Sequence, residues 1–413
     1  MLSKPSQSSS KSAVSKSSSD EEVSACSKGS FSLTIFCSEH IGNNFYINVL
    51  LNLEDIYFFK LVCWRVFMHT KISSVGVYSP DRILSNKDLE KILDTDDNWI
   101  TKRTGIKRRR IGRKDETNQT MAAEAAKNAI ANYVGKFSPI EYIIVATNTS
   151  EKNFPNSAMY VQKKLREFND DCVLSNAGGH DTSAGCAGIN VALQEADALV
   201  RSEMYDNVLV VGSDKLSFVT DYSDRGTAVL FGDGASAYVL NSIDEKDSGF
   251  LGHYSFGDGF GQNYLTCEEN QDKVNIFEAF SAVEDGREPL IEKGKVLKMD
   301  GKEVYEFVIS NLCELVENFK DNKKLNPLGL DFEDLNAVIP HQANLRMFKA
   351  IDRKCPGFME KCMVTIEDYG NTSTASQGVS YREFLENAKE GDTALSVGYG
   401  SGLMFSSNLY KVC

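Results

Sequence analysis

From Lys71 to its end, the chain alternates short β-branched runs with amphipathic helical patterns, and no other feature restricts its fold as much. The patterns predict strands at Ile72–Val77, Tyr142–Ala146 and Asn207–Val211, and helices at Met121–Val134 and Gly188–Ser202. Such alternation is typical of α/β proteins, in which helices cover a sheet that is buried on both faces. We therefore predict an α/β fold for this part of the chain.

The second half of this region repeats the first weakly but in the same order. A strand that opens into a polar loop occurs at 141–148 and again at 335–342. A strand that ends in glycine occurs at 207–212 and again at 393–398. In each copy, a turn of small residues lies between the two strands.

These two turns contain Cys186 and Asn371. If the repeat reflects a duplication, both residues stand at equivalent helix starts in two similar halves, 68–245 and 246–413, that face each other. The alternative is a chance similarity between short α/β segments.

The first 67 residues differ in composition from the rest of the chain. Thirteen of the first 30 residues are Ser, and such a composition does not build a packed core. Charged residues interrupt the apolar patches of 31–67, so no run reaches the roughly 20 apolar residues of a membrane span. We predict a low-complexity extension over 1–67 that is disordered or not native, and a cytoplasmic protein. The alternative is a transit segment for a plastid-type organelle, which the acidic Asp20-Glu21-Glu22 disfavours.

Charge and cysteine usage argue against several classes of protein. The net charge is −13, so we expect no general attraction to nucleic acid or to an anionic membrane. The ten cysteines form no CxxC pair, which favours a reducing compartment, and the histidines lack metal-ligand spacing. We therefore predict no metal site. The basic run Lys107–Arg110 is either a solvated face or a docking point for an anionic cofactor or an acidic partner.

Cys186 lies among small residues directly before a helical pattern. A thiol at a helix N-terminus meets unsatisfied N–H groups and the helix dipole, both of which favour the thiolate. Small neighbours allow an acyl chain to approach, and the N–H of Cys186 itself can stabilise an oxyanion. From this motif alone, a nucleophile and a packed, inert cysteine are both open interpretations.

His341 and Asn371 are the other candidates for chemistry. His341 follows the apolar run Val338-Ile-Pro, and so lies at the carboxyl end of a predicted strand, where α/β folds place ligands. Taken singly, a structural histidine and an ordinary turn asparagine are equally open alternatives. Their combination with Cys186 is what indicates a catalytic site.

Six motifs follow one another in order between Lys71 and Cys413. They are Asp97–Ile106, the turn around Cys186, Asp224–Ala235, Met299–Val304, His341–Arg346 and Tyr369–Ser373. Together they resemble β-ketoacyl-acyl-carrier-protein synthase III, a condensing enzyme of the thiolase superfamily. The resemblance implies a thiolase-like, five-layer αβαβα fold of two similar halves, and a homodimer.

The resemblance also implies a reaction, the decarboxylating condensation of an acyl-CoA primer with malonyl-acyl carrier protein. Cys186 would carry the acyl group as a thioester, while His341 and Asn371 would donate hydrogen bonds to the thioester oxygen of the malonyl substrate. The products would be 3-ketoacyl-acyl carrier protein, CoA and CO₂, at the initiation of type II fatty acid synthesis. No tightly bound cofactor is implied.

Five further residues take binding roles by this resemblance. Trp99 and Arg225 would enclose the CoA adenine, since an indole face opposite a guanidinium suits an aromatic base. Arg103 would lie near the CoA phosphates, and Asn344 would contact the same substrate. Arg346 would help to hold the acidic carrier protein.

The C-terminal loop departs from the family pattern of three glycines followed by Phe-Thr-Trp-Gly. Here the loop reads Tyr399-Gly-Ser-Gly-Leu-Met-Phe-Ser, so Ser401 stands at the expected oxyanion-hole glycine. The backbone N–H groups of Ser401 and Cys186 are the predicted oxyanion hole, although a serine does not reach glycine-specific angles easily. Tyr399 replaces the expected Phe beside the substrate, and its hydroxyl can alter the acyl preference.

Other functions remain open at this stage. A related thiolase-fold acyltransferase, or an acyl-CoA condensing enzyme of secondary metabolism, would work without a carrier protein. A Cys–His hydrolase would need the histidine as a general base on another fold. A non-catalytic partner subunit would normally lack one member of the Cys, His and Asn set, and this chain has all three.

Overall fold

The computed structural model describes residues 31–37, 45–51, 69–245 and 247–413. The chain divides into two units, Met1–Trp64 and Arg65–Cys413. In the first unit, strands β1 (Phe31–Cys37) and β2 (Phe45–Leu51) pair antiparallel. The other residues of the predicted 1–67 extension lie outside the described residues.

The second unit contains the strands and helices that build the α/β fold. Its strands are β3 His69–Tyr78, β4 Ile83–Ser85, β5 Arg108–Arg110, β6 Ile140–Ala146, β7 Val173–Thr182, β8 Asn207–Lys215, β9 Asp233–Ile243, β10 Gly249–Gly257, β11 Leu265–Lys273, β12 Glu292–Met299, β13 Ala337–Pro340, β14 Thr393–Gly400 and β15 Met404–Lys411. Its α-helices are α1 Asn86–Leu89, α2 Asp97–Thr104, α3 Asn118–Ala131, α4 Ser157–Phe168, α5 Gly188–Arg201, α6 Arg225–Ala228, α7 Ile276–Asp285, α8 Gly301–Glu317, α9 Leu345–Lys354, α10 Phe358–Lys361, α11 Ile366–Tyr369 and α12 Gly378–Asn387. Short 3-10 turns occur at Asp170–Cys172, Leu216–Phe218, Gly259–Gly261, Phe332–Asp334, Ser373–Ala375 and Ser401–Leu403.

The predicted strands and helices are confirmed, except that the helix predicted over Met121–Val134 begins and ends three residues earlier, at Asn118–Ala131. The strand predictions fall within β3, β6 and β8, and the helix predicted from Gly188 is α5. The helix predicted from Met121 is α3, which begins three residues earlier. Thr117 and Thr120 form a reciprocal capping box there, and such a box determines where a helix starts.

Two sheets repeat one topology, which confirms two similar halves. The first has the order β3-β9-β8-β6-β7 and the second has the order β10-β15-β14-β13. In both, the first three strands are antiparallel neighbours, and β8 with β6 and β14 with β13 are parallel. The second sheet has no full strand that corresponds to β7 among the described residues. At that position, Val338 forms an isolated parallel bridge with Cys362.

Helices cover these sheets in five layers. Ile189 and Leu193 of α5 pack in one cluster with Ile144 of the first sheet and Ile339 of the second, so α5 lies between the sheets. Tyr381 of α12 belongs to the same central cluster. Helices α3 and α4 pack on the other face of the first sheet, and α8 and α9 pack on the other face of the second. Because the centres of β6 and β8 are covered on both faces, 143–146 and 208–211 are apolar runs in the sequence.

The two candidate turns do not occupy fully equivalent positions, and this corrects the prediction. Helix α5 begins at Gly188, two residues after Cys186, but α12 begins only at Gly378. A 3-10 turn, Ser373–Ala375, stands between Asn371 and α12. In the second half, the loop therefore has room for extra side chains that reach the first half.

Smaller elements complete the unit around these layers. Strands β4 and β5 pair with each other, as do β11 and β12. Across the described ranges, no helix is both long enough and apolar enough to cross a bilayer.

Candidate active site

A cleft of about 850 Å³ opens at the carboxyl ends of β13 and β14. Its lining includes seven of the residues singled out in the sequence: Trp99, Arg103, Arg225, His341, Asn344, Arg346 and Asn371. Gly400, at the end of β14, also lines the cleft and lies against Cys186, since a Cβ on Gly400 would be 2.5 Å from the Cys186 nitrogen. The structure thus brings the predicted nucleophile, histidine and asparagine to one place.

Cys186 is partly buried in the turn before α5. Ser373 Oγ donates a hydrogen bond to its Sγ at 3.4 Å, across the junction of the two halves. The pKa of the Cys186 thiol is raised to about 12, mainly by burial; the Ser373 hydrogen bond acts in the opposite direction, and the Asp214 carboxylate adds to the rise. Our expectation of a favoured thiolate is therefore wrong for the substrate-free chain, because burial outweighs the helix N-terminus.

His341 is held as a neutral imidazole. Its side chain is buried, and this burial lowers the pKa of His341 to about 3. Its Nδ1 lies 2.6 Å from Ser376 Oγ, which also accepts the backbone N–H of Gln342 at 3.4 Å. The Ser376 hydroxyl can donate its proton to Nδ1, and in that tautomer the imidazole proton is on Nε2. His341 can therefore donate from Nε2 at neutral pH.

Asn371 is fixed through its backbone and its amide oxygen. Its N–H donates to the Leu230 carbonyl at 2.9 Å, and its carbonyl accepts from the Gly232 N–H at 3.0 Å. Its Oδ1 accepts the N–H of Ser373 at 2.9 Å. The amide NH₂ is therefore the end of the side chain that can donate to a substrate, like Nε2 of His341.

The predicted adenine partners do lie together. The guanidinium of Arg225 is 4.9 Å from the centre of the Trp99 ring, and that of Arg103 is 5.2 Å from it. The predicted sandwich of a flat base between Trp99 and Arg225 would need a separation of about 7 Å, two van der Waals contacts, so it would require Arg225 to move outward. Its present anchor is the Asp94 carbonyl, which accepts from Nη1 at 2.7 Å.

Asn344 and Arg346 stand at the start of α9. Asn344 caps this helix, because its Oδ1 accepts the N–H of Arg346 at 2.9 Å. This bond leaves the Asn344 amide NH₂ at the cleft wall. The Arg346 side chain is exposed, as the role predicted for it requires.

In the C-terminal loop, the serine at position 401 does not need the backbone angles that only glycine reaches easily. Its left-handed backbone angles fall on Gly402 (φ 77°) and Leu403 (φ 44°). A Cβ on Gly185 would meet the Ser401 nitrogen at 2.7 Å, so this N–H lies beside the Cys186 turn. The Tyr399 hydroxyl donates to the His341 carbonyl at 2.9 Å, and it thus supports the histidine.

The cations of the basic run Lys107–Arg110 already have partners within the chain at three of its positions. Lys107 pairs with Glu367, and Arg108 pairs with Asp368, each at 2.6 Å. Arg109 is fully buried, and it donates to the Val229 carbonyl and to Asn86 Oδ1. The exposed Lys107 and Arg108 agree with the solvated-face interpretation, whereas the buried Arg109 is part of the core.

Sequence reasoning missed three residues around the site: Asp214, Ser373 and Ser376. Ser373 belongs to the motif that contains Asn371, but its contact with Cys186 joins residues 187 positions apart. The signal for Asp214 was a carboxylate directly after the buried strand pattern at 207–212. Within the described part of the chain, no cluster of three or more His, Cys, Asp or Glu residues is arranged to hold a metal ion.

Two regions of the chain match models of a known protein family. Residues 180–273 match the family described as 3-oxoacyl-[acyl-carrier-protein (ACP)] synthase III, and residues 325–412 match its C-terminal domain. A beta-ketoacyl-[acyl-carrier-protein] synthase III from Listeria welshimeri is 38% identical over 346 residues, which cover 83% of this chain and 99% of the relative. The protein of the same name from Clostridium tetani is 36% identical and covers 83% of this chain and 98% of the relative.

Solved structures agree with these relatives. The 3-oxoacyl-[acyl-carrier-protein] synthase III of Aquifex aeolicus has a TM-score of 0.69 at 36% identity, covering 83% of this chain and 99% of that one. The priming beta-ketosynthase of the R1128 polyketide biosynthetic pathway has a TM-score of 0.69 at 30% identity, covering 83% of this chain and 96% of that one.

Proposed function

This chain belongs to the β-ketoacyl-[acyl-carrier-protein] synthase III family, the acyltransferases that act as condensing enzymes in fatty acid synthesis, and from that premise we propose its reaction. The enzyme condenses an acyl-CoA primer with malonyl-acyl carrier protein, and CO₂ is lost. The observation that carries this proposal is the pair of neutral donors, His341 and Asn371, on the wall of a cleft whose Gly400 lies against Cys186.

The first half-reaction loads the acyl group onto Cys186. The sulfur attacks the thioester carbonyl of acyl-CoA, the bond from carbon to the CoA sulfur breaks, and the thiol proton ends on CoA. The N–H groups of Cys186 and Ser401 stabilise the oxyanion of the tetrahedral intermediate. Because burial raises the pKa of the thiol, removal of its proton is a substantial part of this barrier.

The second half-reaction forms the new carbon–carbon bond. The bond to the malonyl carboxylate breaks, CO₂ leaves, and the electron pair becomes an enolate. Nε2–H of His341 and the NH₂ of Asn371 donate to the enolate oxygen. The enolate carbon then attacks the acyl-Cys186 carbonyl, and the sulfur leaves and is reprotonated. A cationic histidine is not needed, and its burial keeps it neutral.

Charge around the cleft supports anionic substrates, although the chain as a whole carries −13. The exposed cations on the lining are Arg103, Arg225, Lys302 and Arg346, against the single acidic residue Asp224. A local basic rim on an acidic protein attracts phosphates and acidic proteins to that rim. CoA binding by Trp99, Arg103, Arg225 and Asn344, and carrier docking by Arg346, are part of this proposal.

The proposed enzyme is a cytoplasmic homodimer. Sedimentation of the purified full chain at micromolar concentration tests the dimer, and a monomer would contradict it. Imaging of the tagged full chain tests the location, and an organellar signal would favour a targeting extension.

One experiment tests the reaction directly. Purified enzyme receives acetyl-CoA and malonyl-acyl carrier protein, and CO₂ and 3-ketoacyl product are measured, with Cys186→Ala as a control that forms no 3-ketoacyl product. A parallel reaction replaces the carrier substrate with malonyl-CoA. Equal or faster product from malonyl-CoA would overturn the carrier role and favour a carrier-independent enzyme of secondary metabolism, a possibility that the likeness to a polyketide priming enzyme keeps open. Absence of product from both would overturn the condensation.

A further inference from the structure

Ser373 has an unusual backbone conformation beside the nucleophile. Its φ is 51°, and its side chain is only 1% exposed. A residue other than glycine is uncommon at such angles, and it persists there only when its surroundings hold it. Its hydroxyl donates to the Cys186 sulfur at 3.4 Å.

Two hydrogen bonds hold this serine besides its contact with Cys186. Asn148 Nδ2 donates to Ser373 Oγ at 3.2 Å, which leaves the hydroxyl proton free to point at sulfur. The N–H of Ser373 donates to Asn371 Oδ1 at 2.9 Å. One side chain of the first half and one of the second therefore set the direction of this hydroxyl.

Asp214 anchors both sides of the arrangement. This carboxylate is fully buried, and it accepts the Asn148 N–H at 2.7 Å, the Thr149 hydroxyl at 3.0 Å and the Thr374 hydroxyl at 2.9 Å. Its negative charge disfavours a thiolate at Cys186. It therefore holds the loops together at some cost to thiol reactivity, and another group must offset that cost.

We propose that Ser373 is a further catalytic residue, whose hydroxyl orients the Cys186 sulfur and stabilises its thiolate, and that Asn148 is the positioning residue that directs this hydroxyl. This inference deepens the proposed function, since it concerns the loading step. The contact is made to the reacting sulfur itself, unlike the contacts of His341 and Asn371.

The proposal predicts a definite shift in thiol reactivity. A hydrogen bond to a charged group is strong enough to change an ionisation equilibrium by about tenfold or more. Because alkylation follows the thiolate, Ser373→Ala should react about tenfold more slowly at every pH. In a plot of log rate against pH, its line should lie about one pH unit to the right.

The assay is alkylation of the full-length protein by iodoacetamide from pH 6 to 10, followed by mass measurement of the Cys186 peptide. Ser373→Ala is compared with Ser373→Gly, which lacks the hydroxyl but accepts the left-handed backbone without strain. The matched control is Ser376→Ala, which removes a hydroxyl from the same loop that contacts His341 instead of the sulfur. Ser373→Ala and Ser373→Gly should be slowed alike, and Ser376→Ala should match the wild type.

Three results would overturn the assignment. The first is a plot of log alkylation rate against pH for Ser373→Ala that coincides with the plot for the wild type. The second is slow alkylation of Ser373→Ala while Ser373→Gly reacts at the wild-type rate, which would make backbone strain the cause. The third is a displacement of the Ser376→Ala plot as large as that of Ser373→Ala, which would indicate general loosening of the loop.

Asn148 is tested by non-additivity. Asn148→Ala should displace the line in the same direction as Ser373→Ala, and the double variant should show no further displacement, because one residue acts through the other. Additive displacements would overturn the positioning role. Alkylation uses no acyl-CoA, so it answers the question about Ser373 even if the wild type fails to condense acyl-CoA, in which case the proposed function alone falls.

Discussion

Replacing His341 with Ala should slow decarboxylation and leave acyl loading intact. In the structure, the imidazole and the Asn371 amide are neutral side-chain donors on the cleft wall, and the thiol contact is made by Ser373 instead. Loss of one preorganised donor to a developing oxyanion costs about 10²–10³ in rate. We therefore expect His341→Ala to lose CO₂ release and condensation by that factor, while Cys186 is still acylated by acyl-CoA at the wild-type rate.

The pH dependence sharpens this expectation. Burial lowers the pKa of His341 to about 3, so the histidine is neutral throughout pH 6 to 9 and cannot be the source of a pH step there. The assay is burst acylation of Cys186, measured by intact mass from pH 6 to 9, with CO₂ release from malonyl-acyl carrier protein measured in parallel. Cys186→Ala serves as the converse control, with some decarboxylation retained and no acylation.

One pattern would refute the enolate-donor role. If His341 were a general base for the thiol, His341→Ala would acylate slowly at pH 7 and recover at pH 9 as hydroxide supplies the thiolate. Acylation that is slow at pH 7 and restored at pH 9 would therefore show that the histidine acts on the sulfur.

Further changes test other parts of the site. Gly400→Ala should abolish acylation and lower the melting temperature, because its Cβ would lie 2.5 Å from the Cys186 nitrogen. An active, stable variant would contradict this expectation and show that the loop can move to accommodate the methyl group. Trp99→Ala should raise KM for acyl-CoA about tenfold with little change in kcat, and an unchanged KM in steady-state kinetics would remove Trp99 from the CoA site. Tyr399→Phe deletes the hydrogen bond to the His341 carbonyl, so CO₂ release should fall severalfold while acylation by acyl-CoA is unchanged, and a change in acylation alone would contradict the support role.

The sequence predicts the strands and helices well where burial is complete. The stretches 143–146 of β6 and 208–211 of β8 are covered on both faces and so appear as apolar runs. The start of α3 was missed because a capping box of two threonines, a purely local feature, extends the helix beyond its apolar pattern. Asn371 was placed directly before a helix because the pattern does not show the 3-10 turn that precedes α12.

The sequence likewise predicts some features of the candidate site and not others. The motifs identify Cys186, His341 and Asn371, and the fold brings them together as expected. The pKa of Cys186 could not be predicted, because it depends on how deeply the folded chain buries the turn. The contacts of Ser373 and Ser376 were likewise hidden, because each joins loops that are distant in sequence.

The position of α5 between the two sheets has a consequence for synthesis on the ribosome. One face of this helix packs on the first sheet and is made early, but the other packs against β14 and β15, the last strands to emerge. Until residues 393–411 are translated, that apolar face has no partner, and Gly400 does not yet lie against Cys186. The nascent chain therefore carries its reactive thiol for most of translation without the surroundings that make it an enzyme.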